Sequence, residues 1–243
     1  MKRLCIILFG LLAAVSAYGL SVEQIVDRME ANQTFNTAIF EGEMIISDRF
    51  GDRTSTFKAY MQGADNILIE FTSREEAGQK VLRTRNELYL YYPDAAEIIR
   101  MQGAALRESM LGSDVSYEDM TGNRRLRDSY ELKLLGEESI NGRDCYTIEM
   151  TAKTRDVAYP KQIIWVDKEL FVLRQSHQFA LSGRLIKETE ILEISRQAGK
   201  VFPVHYRVTD KMRRSSGTEF RMISTRINVR LPRNIFSLEE LSW

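Results

Sequence analysis

Two histidines, one acidic cluster and two basic clusters are the groups in this sequence of 243 residues whose chemistry must be settled first. The histidines are His177 and His205. Neither stands at metal-ligand spacing from another His or a Cys, and no H-E-x-x-H occurs. His177 shares alternate positions with Leu173 and Phe179 in a strand-like run, so a core or rim histidine is favoured over a ligand or a base. No G-x-S-x-G elbow and no glycine-rich phosphate loop is present. Asp114, Glu118 and Asp119 bring three carboxylates close together, which suits a hard cation such as calcium, but not at the spacing of an EF-hand loop. Capping of a short turn by Ser113, Asp114 and Ser116 accounts for them more simply, and no metal or cofactor is expected. Lys211, Arg213 and Arg214 lie beside Ser215-Ser216-Gly217 and read as a solvated hairpin tip, with contact to anionic headgroups as the alternative. Arg124, Arg125 and Arg127 admit the same two readings.

The elements that must position these groups follow from periodicity. Ser21-Val22-Glu23-Gln24 has the form of a capping box, and Val22, Ile25, Val26 and Met29 repeat at helical spacing, so a helix is predicted from about Val22 to Asn32. From Thr37 the period becomes two, which marks strands with one buried and one wet face. Phe40, Met44 and Ile46 fall on one side of such a run, then Phe57, Ala59 and Met61, then Ile67, Ile69 and Phe71. Further runs are Gln79 to Arg83, Glu87 to Tyr92 and Glu97 to Met101. The pattern breaks at Gly103 to Leu111, a short helix carrying Leu106, Met110 and Leu111, and at the polar stretch from Ser113 to Arg127, read as a crossing or lid segment. Strands resume near Tyr130 and continue to Val229, punctuated by Asn141-Gly142, Asp167-Lys168, Ser182-Gly183 and Ala198-Gly199. The total is about eleven to thirteen strands with short connections, which demands antiparallel neighbours, and an open sheet of that width must curl or split. The fold class is therefore mainly β: a strongly curled antiparallel sheet forming an unclosed barrel, with the N-terminal helix and the lid segment over an apolar concave face.

Composition bounds where this chain works. Lys2 and Arg3 precede an uncharged apolar run from Cys5 to Val15, and Val15-Ser16-Ala17 and Ala17-Tyr18-Gly19 both fit a signal-peptidase site. The run is too short to span a bilayer. Residues 1–19 are therefore expected to be a cleaved signal peptide and 20–243 a single exported domain. Cys5 opens the apolar run and no cysteine follows it near Gly19, so lipidation is not expected. Cys145 alone remains, which excludes a disulfide within the processed chain. Bases and acids are equal in number at 34 each, so no nucleic-acid partner is held by bulk charge.

The bulky apolar residues on alternating faces are the candidate binding surface. Phe40, Met44, Ile46, Phe57, Met61, Ile69, Phe71, Tyr146, Met150 and Trp165 either pack a solid core or line a cavity, with Ile25, Val26, Met29, Leu106 and Met110 as its covers. Ten methionines suit a surface that accepts varied apolar shapes.

Several segments carry a family likeness. They are Tyr89-Leu90-Tyr91-Tyr92-Pro93 with Arg100-Met101, and Ser113-Asp114-Val115-Ser116-Tyr117-Glu118-Asp119-Met120. Ile140-Asn141-Gly142-Arg143-Asp144-Cys145-Tyr146, Tyr159-Pro160-Lys161, Trp165-Val166-Asp167 and Phe202-Pro203 follow in order. In these the sequence resembles the LolA-like outer-membrane lipoprotein-sorting proteins, in their divergent branch. The resemblance implies an unclosed β-barrel with helices plugging its mouth, a hydrophobic cavity for acyl chains, and no catalysis. It implies a periplasmic carrier of a lipoprotein or another lipid, with an inner-membrane exporter and an outer-membrane acceptor as possible partners. The competing readings are a periplasmic adaptor module with a solid core, and an enzyme of envelope lipids. The latter needs a nucleophile or metal set that the sequence does not display.

Overall fold

The computed structural model describes residues 19–85, 87–121, 125–155, 157–213 and 216–242. Nearly all of the expected leader, with Cys5, lies outside them, as do Arg124, Arg214 and Ser215. The chain opens with helix α1 (Val22–Gln33), held at its start by the predicted capping box. Gln24 N–H donates to Ser21 Oγ, and Ser21 N–H donates to Gln24 Oε1. Six strands follow: β1 (Phe35–Asp48), β2 (Gly51–Gly63), β3 (Asn66–Phe71), β4 (Lys80–Arg83), β5 (Leu88–Tyr92) and β6 (Glu97–Met101). Two 3-10 turns, Gly103–Arg107 and Met110–Gly112, and the short helices α2 (Tyr117–Thr121) and α3 (Leu126–Ser129) lead into the second series. That series is β7 (Tyr130–Ile140), β8 (Arg143–Ala152), β9 (Lys161–Asp167), β10 (Leu173–Phe179), β11 (Leu185–Gln197), β12 (Lys200–Asp210) and β13 (Gly217–Ile227). The helical turn α4 (Leu238–Leu241) completes it.

All thirteen strands form one antiparallel sheet in the order β6-β5-β4-β3-β2-β1-β13-β12-β11-β10-β9-β8-β7. Each series is a meander, because every connection within it is too short to allow anything but antiparallel neighbours. At Asn141-Gly142 both turn residues have positive φ, 50° and 75°, the geometry that matches the twist of a two-residue hairpin. The series join where β1 pairs with β13, from Ala38 opposite Ile227 to Ser47 opposite Gly217. Gly42 lies beside a bulge in this seam, where an added Cβ would stand 2.5 Å from the Arg221 carbonyl oxygen and 3.1 Å from the Phe57 ring. The two free edges are β6 and β7, which do not pair, so the barrel is unclosed. The chain passes from one edge to the other through residues 102–129.

Three apolar clusters cover the sheet. The largest fills the inner face of β1–β6 with β12 and β13, under Leu106, Met110, Leu111, Val115 and Tyr117 of the edge-to-edge segment. A second joins α1 to the inner face of β7–β9. The third lies on the outer face, where Ile39, Tyr60, Leu68 and Leu82 receive Val229, Leu231, Ile235, Phe236 and Leu241 of the C-terminal tail.

Candidate functional site

Strand register decides which candidate side chains share a face. Phe40 lies opposite Ala59, Phe57 opposite Phe71, and Ala59 opposite Ile69. Met44 lies opposite Phe220 and Met61 opposite Ala38. Phe40, Met44, Ile46, Phe57, Met61, Ile69 and Phe71 are therefore all on the inner face, as alternation predicts. Tyr146 and Met150 are on the inner face too, opposite Val166 and Gln162. Trp165 is not. It lies between Ile164 and Val166, which face inward, so it points outward, where its ring meets His177 at 4.7 Å and its Nε1–H donates to Glu138. Period two separates faces within a strand but does not say which face of the next strand joins which, so Trp165 could be placed only through the register.

The covers divide the inner face in two. Ile25, Val26 and Met29 pack on Ile148, Met150, Ile164 and Val166, and not on the stretch from Phe40 to Phe71. Asn32 fixes this docking: its Nδ2 donates to the carbonyls of Leu170 and Phe171, and its Oδ1 accepts from Val201 N–H. The turn that receives it is organised by buried Asp167, which accepts from Arg143, Arg174 and the N–H groups of Glu169 and Leu170. Burial opposes ionisation of Asp167, but these donors outweigh it and bring its pKa down to about 2. Leu106 and Met110 cover the other half of the inner face.

The edge-to-edge segment is held down by a polar latch. Arg53 on β2 donates to the Leu111 carbonyl and pairs with Glu76 at 2.9 Å. Arg213, in the β12–β13 turn, donates to the carbonyls of Gly112 and Ser113 at 2.9 and 2.8 Å. Asp114 N–H donates to Thr218 Oγ1 at 2.9 Å. Asp119 accepts from Lys187 Nζ at 2.6 Å, from the Tyr159 hydroxyl at 2.5 Å and from Ser116 N–H at 2.7 Å. Burial raises the Asp114 carboxyl, and burial followed by the Asp119 charge raises the Tyr159 hydroxyl. Leu111, at the apex, has φ 51°, a left-handed conformation that a branched side chain rarely adopts. The segment is thus held against the inner face by charge-assisted bonds around a strained apex.

Beneath this segment the inner face is packed by the protein's own side chains. The free volume beneath Leu111 and Tyr117, bounded by Phe71, Val81, Leu90 and Tyr92, is about 10 Å³. Met61, Ile69, Val204, Tyr206 and Met222 remain half-buried. A larger groove of about 520 Å³ lies elsewhere, between the C-terminal tail and Thr37 and Gln62.

A family model, DUF1329-like and described only as an uncharacterized protein, matches residues 63–243. The chain belongs to this DUF1329-like family. A solved DUF1329 family protein from Desulfovibrio piger is 26% identical, over 90% of this chain and 97% of that one, with a TM-score of 0.83. An outer membrane lipoprotein-sorting protein domain from Vibrio parahaemolyticus is 20% identical, with coverages of 91% and 98% and a TM-score of 0.82. A LolA superfamily protein from Nitrosomonas europaea is also 20% identical, with coverages of 91% and 100% and a TM-score of 0.75. No curated protein matches the sequence. The fold of this DUF1329-like protein is accordingly the LolA-like fold.

Much of the latch escaped sequence reasoning. Asp114 and Asp119 were recognisable as a cluster, but Arg53, Tyr159, Lys187 and Thr218, their long-range partners or those of the segment's backbone, lie in four separate parts of the chain. The sequence signal was Lys187, a lone base at an inward position of its strand. The two histidines lie on the outer face: His177 is beside Trp165, and His205 bonds Glu219 at 2.9 Å. Among the described residues no group of three His, Cys, Asp or Glu could hold a metal ion. No described helix is long and apolar enough to cross a membrane.

Proposed function

We propose that this protein is an exported, periplasmic carrier that shields the acyl chains of a lipoprotein or another lipid between envelope membranes, and that residues 103–121 are its lid. The observation that carries this reading is the lid's placement. It runs between the two unpaired edges of the sheet and covers an inner face that is apolar from Phe40 to Met101. The likeness to a lipoprotein-sorting domain agrees with it. The reading includes no catalytic step.

Magnitudes favour exchange of lid for cargo. Leu106, Met110, Leu111, Val115 and Tyr117 are buried or half-buried by the lid's closure. At about 1.5–3 kcal/mol for a fully buried side chain, less for the half-buried ones, the lid gains roughly 5–10 kcal/mol. A long acyl chain removed from water gains on the order of 10 kcal/mol, at about 0.8 per methylene. The two terms nearly balance, so the polar latch sets whether the lid or a lipid tail occupies the face. Half-buried Met61, Ile69, Val204 and Met222 offer the first contact for an entering chain. Titration with a fluorescent fatty acyl probe tests this. Saturable binding that competes with unlabelled lipid and is weakened by Met222→Glu is the expected result. Absence of binding, or binding indifferent to that change, contradicts it.

A second reading, an adaptor module with no lipid cavity, draws on the small free volume under the lid. It differs in one observable, because an adaptor's face stays closed in the presence of any lipid.

A further inference from the structure

Large exposed apolar residues in hairpin turns occur at only one rim of the sheet among the described residues. Phe50 is 83% exposed in the β1–β2 turn, Met212 54% in the β12–β13 turn, and Leu181 90% in the β10–β11 turn. The strand order makes these three turns successive tips along that rim. At the opposite rim, the described residues of turns 64–65, 84–87, 141–142, 168–172 and 198–199 include no exposed large apolar side chain.

Two of the tips are built alike. Asp48-Arg49-Phe50 and Asp210-Lys211-Met212 each place an acid, a base and an apolar residue in succession. In each, the aspartate Oδ1 accepts from the N–H two residues on, at 2.7 Å for Phe50 and 2.8 Å for Met212. Such turns are locally fixed, so the apolar side chain is held outward at the tip rather than swept back onto the sheet. The third tip sets Leu181 three residues before Arg184, across a turn in which Ser182 Oγ accepts from Arg184 N–H. The four consecutive turns from β1–β2 to β8–β9 carry Arg49, Lys153, Arg155, Arg184, Lys211 and Arg213 against Asp48, Asp52 and Asp210 among the described residues. Two of those three acids are engaged with backbone N–H groups of their own turns, and of the bases Lys211 pairs with Glu188 and Arg213 with Asp114.

We propose that this rim is a docking surface for an anionic phospholipid bilayer. Phe50, Leu181 and Met212 enter the interfacial region, and the neighbouring bases meet headgroup phosphates. Exposed apolar residues flanked by bases fit that chemistry, because buried apolar area and attraction to anionic lipid add in membrane-surface binding. A protein partner would offer pockets to the apolar tips but supplies no reason for a base beside each one. The lid apex is at the same rim, since Arg213 of the β12–β13 turn bonds Gly112 and Ser113. Docking therefore presents the lid to the membrane. Binding at the rim needs no cargo, so it stands or falls separately from the carrier reading.

The test is flotation with vesicles of phosphatidylcholine alone and of phosphatidylcholine containing roughly 30% phosphatidylglycerol. The protein is isolated from expression of the full chain, in one processed state for all variants. Wild type is expected to float with the anionic vesicles and to be released as salt rises. The apolar variant Phe50→Ser/Leu181→Ser/Met212→Ser is expected to lose about tenfold or more in partitioning. The charge variant Arg49→Gln/Arg184→Gln/Lys211→Gln is expected to lose the preference for phosphatidylglycerol. Thermal unfolding should be unchanged in both, because the altered side chains are exposed. Failure of wild type to bind anionic vesicles overturns the proposal and points to a protein at this rim. So does either triple variant binding as wild type does.

Discussion

Replacing Asp119 with Asn removes the charge that pins the lid to β11. Side chains of Lys187 and Asp119 are only 10% and 19% exposed, and their charged atoms are 2.6 Å apart. Deleting one partner of a fully buried pair costs about 3–5 kcal/mol, and the residual exposure here lowers that to about 2–4 kcal/mol. Asp119 belongs to the lid and Lys187 to the sheet, so the loss falls on the closed arrangement of the lid rather than on the strands. The population of open lid should rise by about 30- to 900-fold. Native-state hydrogen exchange reads this directly. The amide that ties the lid to the sheet is that of Asp114, which donates to Thr218 Oγ1. Its exchange should accelerate by that factor while the central amides of β1 stay protected. Adding Lys187→Met should return most of the protection, because no unpaired charge is then left inside. Unchanged lid exchange in Asp119→Asn, or acceleration spread evenly over the sheet, would refute the latch.

Met61→Glu and Phe71→Glu should behave differently although both are inner-face residues: Met61 is half-buried, so its variant should fold and lose acyl-probe binding, whereas Phe71 is 2% exposed and its variant should fail to fold in a thermal melt. Gly42→Ala should lower stability by about 1–3 kcal/mol in denaturant titration, since the added methyl meets the Arg221 carbonyl at 2.5 Å. Asp167 is more acidic in the folded state than its ordinary 3.8, so its stabilising contribution is complete above pH 3.8 and is lost as pH falls toward about 2. Acid titration of stability should show that loss in wild type and not in Asp167→Asn.

The strand plan was legible because nearly every strand has one dry face and a turn with its own chemistry. The capping box at Ser21 and Gln24 and the break in period at Gly103 were equally local signals, and both correspond to real boundaries. Nine of ten cavity candidates share the inner face for the same reason. What could not be read was pairing at a distance. The sequence does not say that β1 joins β13, and so could not say that α1 would cover β7–β9 and leave Phe40 to Phe71 to the lid. The outward position of Trp165 and the partners of Asp119 depend on the same long-range register. Cys145 is buried, and burial pushes its pKa up.

The central claim is that the inner face accepts acyl chains when the lid leaves it. Native mass spectrometry of protein purified without detergent from the compartment in which it resides tests it most directly. The account calls for a population carrying a lipid-sized mass adduct, released on activation and enriched in Asp119→Asn, where the lid opens more often. Protein that is bare in both forms, and stays bare after incubation with lipid, would contradict it.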